Sequence, residues 1–161
     1  MPRAALVAAL ALTLTFGAAG SASAEARLSA VAVRALMTEL ADAARARDVS
    51  RLAAPLARDC RIEQNTDING RIQRATMSCE QYTASLAEGT AAFRDLDAYD
   101  YRVLSQRIVI EAHGAVVFSR IEERVVLGGR EHITESEEEA RVERREGALR
   151  IVSVSSLTRE R

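Results

Sequence analysis

Between Tyr99 and Thr158 the chain carries four long stretches rich in alternating and β-branched residues, separated by His113-Gly114, Gly128-Gly129 and Glu146-Gly147. Strands joined by turns this short can pair only with their immediate neighbours, because a parallel return needs a crossover of a dozen or so residues. Tyr99–Ala112, Ala115–Leu127, Arg130–Arg144 and Leu149–Thr158 therefore read as a four-stranded antiparallel meander. No internal repeat or linker interrupts it.

With each turn taken as a two-residue loop, Ala112 faces Ala115, Leu127 faces Arg130 and Arg145 faces Ala148. One face of the meander then collects Leu104, Ile108, Ile110, Val117, Ile121, Val125, Ala140, Val142, Leu149, Ile151 and Leu157. The other carries Val109, Val116, Phe118, Ile133, Val152 and Val154 among many charges. The first face is the more apolar and is expected to take the helices; a single bulge would invert part of this sorting. The same face also receives Gln106, Ser119, Glu123, His132, Thr134, Ser136, Glu138 and Ser153. Burying these dry is costly. Either a cavity holding water or ligand relieves the cost, or the strands run past the helices and these residues face solvent.

The preceding half is helical around one hairpin. From Leu28 to Arg47 apolar residues recur at helical spacing (Val33, Leu36 or Met37, Leu40, Ala44), and Asp48 can cap a shorter helix with Val49, Leu52 and Leu56 that Pro55 bends or shortens. Asn69-Gly70 is a strong signal for a two-residue hairpin turn, since both residues accept positive φ. Ser78-Cys79-Glu80-Gln81 has the form of a capping box. The helix it opens presents Tyr82, Leu86, Gly89 and Phe93 on one face. The order of helices, hairpin, helix and meander is that of an α+β domain, with its N-terminal helices packed on an antiparallel sheet.

Counted back from Asn69-Gly70 along both strands, Cys60 stands opposite Cys79. In strict register this is a hydrogen-bonded pair, a poorer geometry for a bridge, so a bulge or frayed end is needed. The two cysteines read as a disulfide, with a pair of buried thiols as the alternative. The compartment bears on the choice. Met1-Pro2-Arg3, the apolar run Ala4–Phe16 and the small-residue stretch ending Ala22-Ser23-Ala24 form a signal cleaved before Glu25, leaving residues 25–161 as one domain. The apolar run is shorter than the roughly 20 residues a membrane span needs. A periplasmic or secreted location, where disulfides persist, follows. All 22 basic residues are arginine, the bias of a GC-rich bacterial genome. Removal of Arg3 with the signal leaves 21 arginines against 23 acids, so nothing attracts nucleic acid or an anionic membrane.

No Cys-x-x-Cys, paired histidine, Ser-His-Asp spacing or glycine-rich phosphate loop occurs, so no metal or cofactor is expected. On the face away from the helices, Val109, Phe118, Val152 and Val154 are expected to cluster, rimmed by Arg107, Arg120, Glu137, Glu139 and Arg141. An apolar centre with a charged rim suits a homodimer; scattered surface hydrophobes are the alternative. The run Glu135–Glu139 alternates between faces, and Arg120 opposite Glu137 and Arg150 opposite Glu143 are expected to form cross-strand ion pairs.

The element order, with Arg47-Asp48-Val49-Ser50-Arg51-Leu52 and Leu56-Ala57-Arg58-Asp59-Cys60-Arg61-Ile62-Glu63, resembles the nuclear transport factor 2-like superfamily, which includes ketosteroid isomerases and polyketide cyclases. The resemblance covers residues 28–158 and implies a cone-shaped fold on a curved sheet. Aligned from Asp48, the catalytic base of the ketosteroid isomerases falls on Gln64, and their oxyanion-hole tyrosine on Leu40. An amide cannot take up a proton and leucine cannot donate a hydrogen bond, so the resemblance does not extend to that mechanism. The expected function is a non-catalytic exported domain that binds a small amphipathic ligand in the cone or pairs with a protein. Its candidate ligand-binding residues are Tyr82, Gln106, Ser119, Glu123, His132, Ser136 and Glu138. The alternative is a small-molecule isomerase, cyclase or hydrolase working through Glu123, Glu138 or His132.

Overall fold

Ser29 accepts a hydrogen bond from the Ala32 N–H and opens α1 (Ala30–Arg45), whose apolar stripe packs Val33, Leu36, Met37 and Leu40 onto the sheet. The computed structural model describes residues 28–161; the expected export signal, residues 1–24, lies outside the described residues. Arg47, in left-handed conformation (φ 54°), turns the chain into α2 (Val49–Ala53), which Asp48 caps through the Arg51 N–H and which ends two residues before Pro55. Strands β1 (Leu56–Ile68) and β2 (Arg71–Ser78) form the first hairpin, with Asn69 and Gly70 both at positive φ. Ser78 and Gln81 complete the capping box of α3 (Cys79–Ala92) in both directions. The meander follows as β3 (Ala98–Ile110), β4 (Ala115–Leu127), β5 (Arg130–Arg145) and β6 (Ala148–Glu160).

The strands form one curved six-stranded sheet in the order β2-β1-β6-β5-β4-β3, antiparallel except where β1 runs parallel to β6. Helix α1 lies over β3, α3 over β1 and β2, and α2 touches both helices. Two apolar clusters result. Val33, Ala115, Val117, Ala140, Val142 and Ile151 are buried under α1, and Ala57, Cys60, Ile62 and Cys79 under α3. A disulfide joins Cys60 to Cys79 with Cα atoms 5.5 Å apart. It ties the end of the hairpin to the first residue of α3: the ladder stops at Arg61–Ser78, so the end is frayed, as the bridge requires.

The β4–β5 register follows the expected pairing along its whole length, Leu127 facing Arg130 and Ala115 facing Val142. Two other registers depart from it. Ile110 rather than Ala112 faces Ala115, so the β3–β4 loop has four residues, a shift of two that leaves the faces unchanged. A bulge at Leu104, however, inverts the outer half of β3: Gln106 and Ile108 point to the helices on one side of it, and Val103, Tyr101 and Tyr99 on the other. Leu104 itself is exposed, as is Ile110. A second irregularity at Val152 shifts β6, so that Val154, Ser156 and Thr158 share the helix-covered face with Ala140, Glu138 and Ser136. Leu157 and Ser153, expected there, pair with Glu137 and Arg141 on the other side. Bulges of this kind move every following side chain to the opposite face. The expected ion pairs shift too. Arg120 is opposite Glu137 but pairs with Glu135, while Arg150 donates to the Ala54 carbonyl and Glu143 pairs with Arg145.

Gly114 closes the β3–β4 loop against β5. A Cβ at this position would stand 2.6 Å from the Val142 carbonyl oxygen, a backbone atom that cannot swing aside. Gly114→Ala is expected to destabilise the domain by about 1–3 kcal/mol, the usual range for overpacking. Urea denaturation measures this, and a loss below about 0.5 kcal/mol would mean that the loop yields freely.

Candidate functional site

The helices do not fill the hollow of the sheet. Between α1, α2, α3 and the inner face of β1 and β3–β6 lies a cavity of about 510 Å³, inside the roughly 300–1,000 Å³ range of small-molecule sites. Its apolar wall comes from the helices and the strand ends, with Met37, Leu40, Leu52, Leu86, Phe93 and Val125. Its polar wall is built by the sheet. Glu138 on β5, Ser119 and Glu123 on β4, and Ser156 and Thr158 on β6 project inward at alternate positions.

Three hydrogen bonds organise the polar wall. The Tyr99 hydroxyl donates to Glu123 Oε1 at 2.6 Å. Gln106 Nε2 donates to Ser119 Oγ at 3.3 Å, and the Ser136 and Thr158 hydroxyls meet at 2.8 Å. Among the described residues, no hydrogen bond or ion pair engages the Glu138 carboxyl. Burial therefore pushes its pKa up to about 7, with the charge of Glu123 adding to the effect. Burial, with the charges of Glu138 and Glu123, likewise raises Tyr82 to about 12 and drives Tyr101 up. Tyr99 is raised by burial and by its bond to Glu123. All three tyrosines are thus neutral hydrogen-bond donors across the physiological range.

Arg47 completes one wall. Its left-handed backbone is costly for an arginine, and its side chain lines the cavity. It donates to the Thr90 carbonyl on α3 at 3.0 Å and lies over the Tyr99 ring, 5.6 Å from its centroid. One side chain thereby links α1, α3 and β3 beside the Tyr99–Glu123 pair.

Of the residues singled out in the sequence, Tyr82, Gln106, Ser119, Glu123, Ser136 and Glu138 line this cavity. His132 does not. It is exposed and faces Glu160 on β6, with Nδ1 3.2 Å from that carboxylate. Gln64 and Leu40, at the positions the superfamily resemblance gave them, both line the cavity as an amide and an apolar side chain. Sequence reasoning missed Tyr99 and Tyr101, because the bulge at Leu104 reverses their side of the strand, and Ser156 and Thr158, because of the shift at Val152. Among the described residues, no three His, Cys, Asp or Glu side chains gather into a metal-binding cluster.

The opposite face of the sheet carries an open depression whose lining includes Phe118 and Leu157 together with Arg107, Arg120, Glu137 and Glu139. The guanidinium of Arg107 lies 4.2 Å from the Phe118 ring centroid. Val154 is absent from this patch, being on the inner face, and Val152 packs against the disulfide cluster.

A hollow α+β cone of three N-terminal helices on a curved six-stranded sheet, closed around a mixed apolar and polar cavity, is the nuclear transport factor 2-like fold, and this chain adopts it. A nuclear transport factor 2-like protein with a cystatin-like fold from Novosphingobium aromaticivorans superposes with a TM-score of 0.61 at 15% identity, over 79% of each chain. A proposed scytalone dehydratase from the same organism gives 0.61 at 15% identity, over 80% of this chain and 82% of that one. Hexachlorocyclohexane dehydrochlorinase LinA-type3 from Novosphingobium barchaimii gives 0.58 at 15% identity, over 78% and 83%. Neither a family model nor a curated protein matches the chain. The fold is thus one on which both binding and enzymatic proteins are built, and at these identities the likeness is one of fold alone.

Proposed function

We propose that the chain is an exported domain that holds a small amphipathic molecule in the cone cavity without transforming it. The observation that carries this reading is the cavity itself, about 510 Å³ with an apolar wall of helix side chains opposite a polar wall of strand side chains. An amphipathic molecule satisfies both walls at once, whereas a purely apolar one would leave the Glu138 carboxyl without a partner. The Cys60–Cys79 disulfide fits a location outside the reducing cytoplasm, and no helix among the described residues is long and apolar enough to cross a membrane. The domain also pairs with a second copy in this reading, through the sheet face around Phe118 and Leu157, where arginines and glutamates alternate so that a two-fold axis can bring opposite charges together.

The second reading is an isomerase, cyclase or hydrolase. It is favoured by Glu138, a carboxyl in the cavity whose proton exchanges near neutral pH, which is what a general acid or base needs. Glu123 would hold Tyr99 in place beside it.

Native mass spectrometry of protein recovered gently from the cell that exports it tests the first reading. The expected spectrum shows a dimer whose subunits lack residues 1–24, are lighter by the two hydrogens of a disulfide, and carry a small molecule that is lost on denaturation. An empty monomer would count against both tight binding and pairing. A bound molecule that is chemically converted on prolonged incubation, and no longer converted by Glu138→Gln, would replace the binding reading with the enzymatic one.

A further inference from the structure

The charged side chains lining the cavity do not balance. Among the described residues that line it, Arg47 is the one cation, against Glu123 and Glu138. Arg47 is spent at one end, with its guanidinium on the Thr90 carbonyl and over Tyr99, and Tyr99 in turn donates to Glu123. Arg45, the nearest other arginine on α1, is held outside by Asp42 and by the Tyr101 carbonyl. Glu138 is left facing the cavity, with no counter-charge and no hydrogen-bond donor engaging it among the described residues. Tyr82 and Tyr101 lie close enough for its charge to act on their hydroxyls.

We propose that the cavity takes an organic monocation: an ammonium group on a compact apolar body, its head lodged against Glu138 beside Tyr82 and Tyr101. This rests on the cavity being a ligand site, and it names the class of ligand. An unpaired carboxylate enclosed by protein is costly, and a matching cation removes that cost. Tyrosine faces add attraction for an ammonium. An anion would meet two carboxylates, and a neutral alcohol would leave the charge of Glu138 uncompensated. The apolar wall of Leu40, Leu86 and Phe93 accommodates the body of the ligand.

The pH dependence follows. The charged groups around Glu138 are Glu123 on β4 and, further off at the end of α1, Arg45 and Arg47, while Tyr82, Tyr99 and Tyr101 stay neutral. In the empty cavity Glu138 holds its proton up to about pH 7, and an ammonium displaces that proton on binding. Affinity for the cation therefore rises with pH, by about 30-fold between pH 5.5 and 8.5, and levels off above the pKa.

Three probes with one body and different heads test this: 4-phenylbutylamine, 4-phenylbutanol and 4-phenylbutyrate, titrated calorimetrically at pH 7.5 into the intact disulfide-bonded protein. The amine is expected to bind at least about tenfold more tightly than the alcohol, and the acid more weakly than either. Glu138→Gln should abolish the preference for the amine over the alcohol, with circular dichroism and a cooperative urea transition showing that the variant is folded. If the variant binds neither, the wild-type pH series decides: amine affinity that does not change from pH 5.5 to 8.5 overturns the proposal. An alcohol or acid that binds as tightly as the amine overturns the choice of a cation while keeping the cavity as a ligand site. Binding of none of the three overturns both.

Discussion

Removing the Cys60–Cys79 bridge, by replacing both residues with alanine, is expected to cost the domain more than about 3 kcal/mol. The bridge closes a loop across a sequence separation of 19 residues, and constraining an unfolded loop of that size is worth about 3 kcal/mol in the chain-entropy account. Both cysteines are also buried with Ala57 and Ile62, so the double variant loses sulfur packing under α3 in addition to the cross-link. Reduction of the wild-type protein separates the two contributions, because it opens the loop while keeping both sulfurs. Urea denaturation of oxidised, reduced and double-alanine forms gives the three stabilities. A reduced form within about 1 kcal/mol of the oxidised one would show that the hairpin and α3 are held together by packing alone. The consequence for the proposed site is local: Cys79 is the first residue of α3, and Tyr82 on the next turn of that helix lines the cavity, so, if the cavity is a ligand site, an unbridged protein should bind there less tightly.

The second large effect is a stability that falls as pH rises. A carboxyl whose folded pKa lies above its unfolded one binds its proton more tightly when folded. The resulting stabilisation is complete below the unfolded value of about 4.5 and is lost as pH rises through the folded value of about 7. For Glu138 the full difference corresponds to about 3 kcal/mol; since the carboxyl opens onto the cavity and is partly screened there, about 2–3 kcal/mol is expected. Glu138→Gln should thus be more stable than wild type by that amount at pH 8 and nearly equal to it at pH 4.5. Denaturation midpoints of the two proteins, compared at each pH so that other titrating groups cancel, read the effect directly. Equal stabilities at pH 8 would mean that water already solvates the carboxylate in the empty cavity. A site that stabilises the whole protein when its carboxyl is neutralised carries a charge kept at the expense of stability, as functional sites commonly do.

Local chemistry made much of this fold legible. Asn69-Gly70 needs left-handed backbone at both positions whatever surrounds it, and that one requirement fixed the hairpin register and brought Cys60 opposite Cys79. Ser78 and Gln81 satisfy each other's backbone donors within one turn, so the start of α3 depends on nothing distant. Gly128 and Gly129, both at positive φ, set the β4–β5 ladder, which carries Ser119, Glu123, Ser136 and Glu138 to one face without a break. What could not be read has a common cause. The bulge at Leu104 and the shift at Val152 each insert one unpaired residue in a long strand, and no glycine or proline at either position announces it. Tyr99, Tyr101 and Thr158 were hidden for that reason, and so was the loss of Val154 from the outer face. His132 sits opposite Val125 near the β4–β5 turn, but its ring is exposed and turned to Glu160, a choice of partner that alternation alone does not show.

The parallel pairing of β1 with β6 bears on the order in which this protein assembles. β6 is central in the sheet, yet it is the last of its strands along the chain. Until it arrives, β1 and β2 are an isolated hairpin, a unit with little stability of its own, and β3–β5 lack the edge on which that hairpin docks. Within the sheet, the β1–β2 hairpin joins the meander only through β1 and β6, by pairings as distant in sequence as Leu56 with Ile151 and Asp67 with Arg159. Such contacts are closed late, after a large loss of chain entropy, and they slow folding by orders of magnitude relative to neighbouring pairings. A chain ending before Ala148 would therefore lack the middle of its sheet, and a nascent chain would remain open and unlocked until β6 had been made.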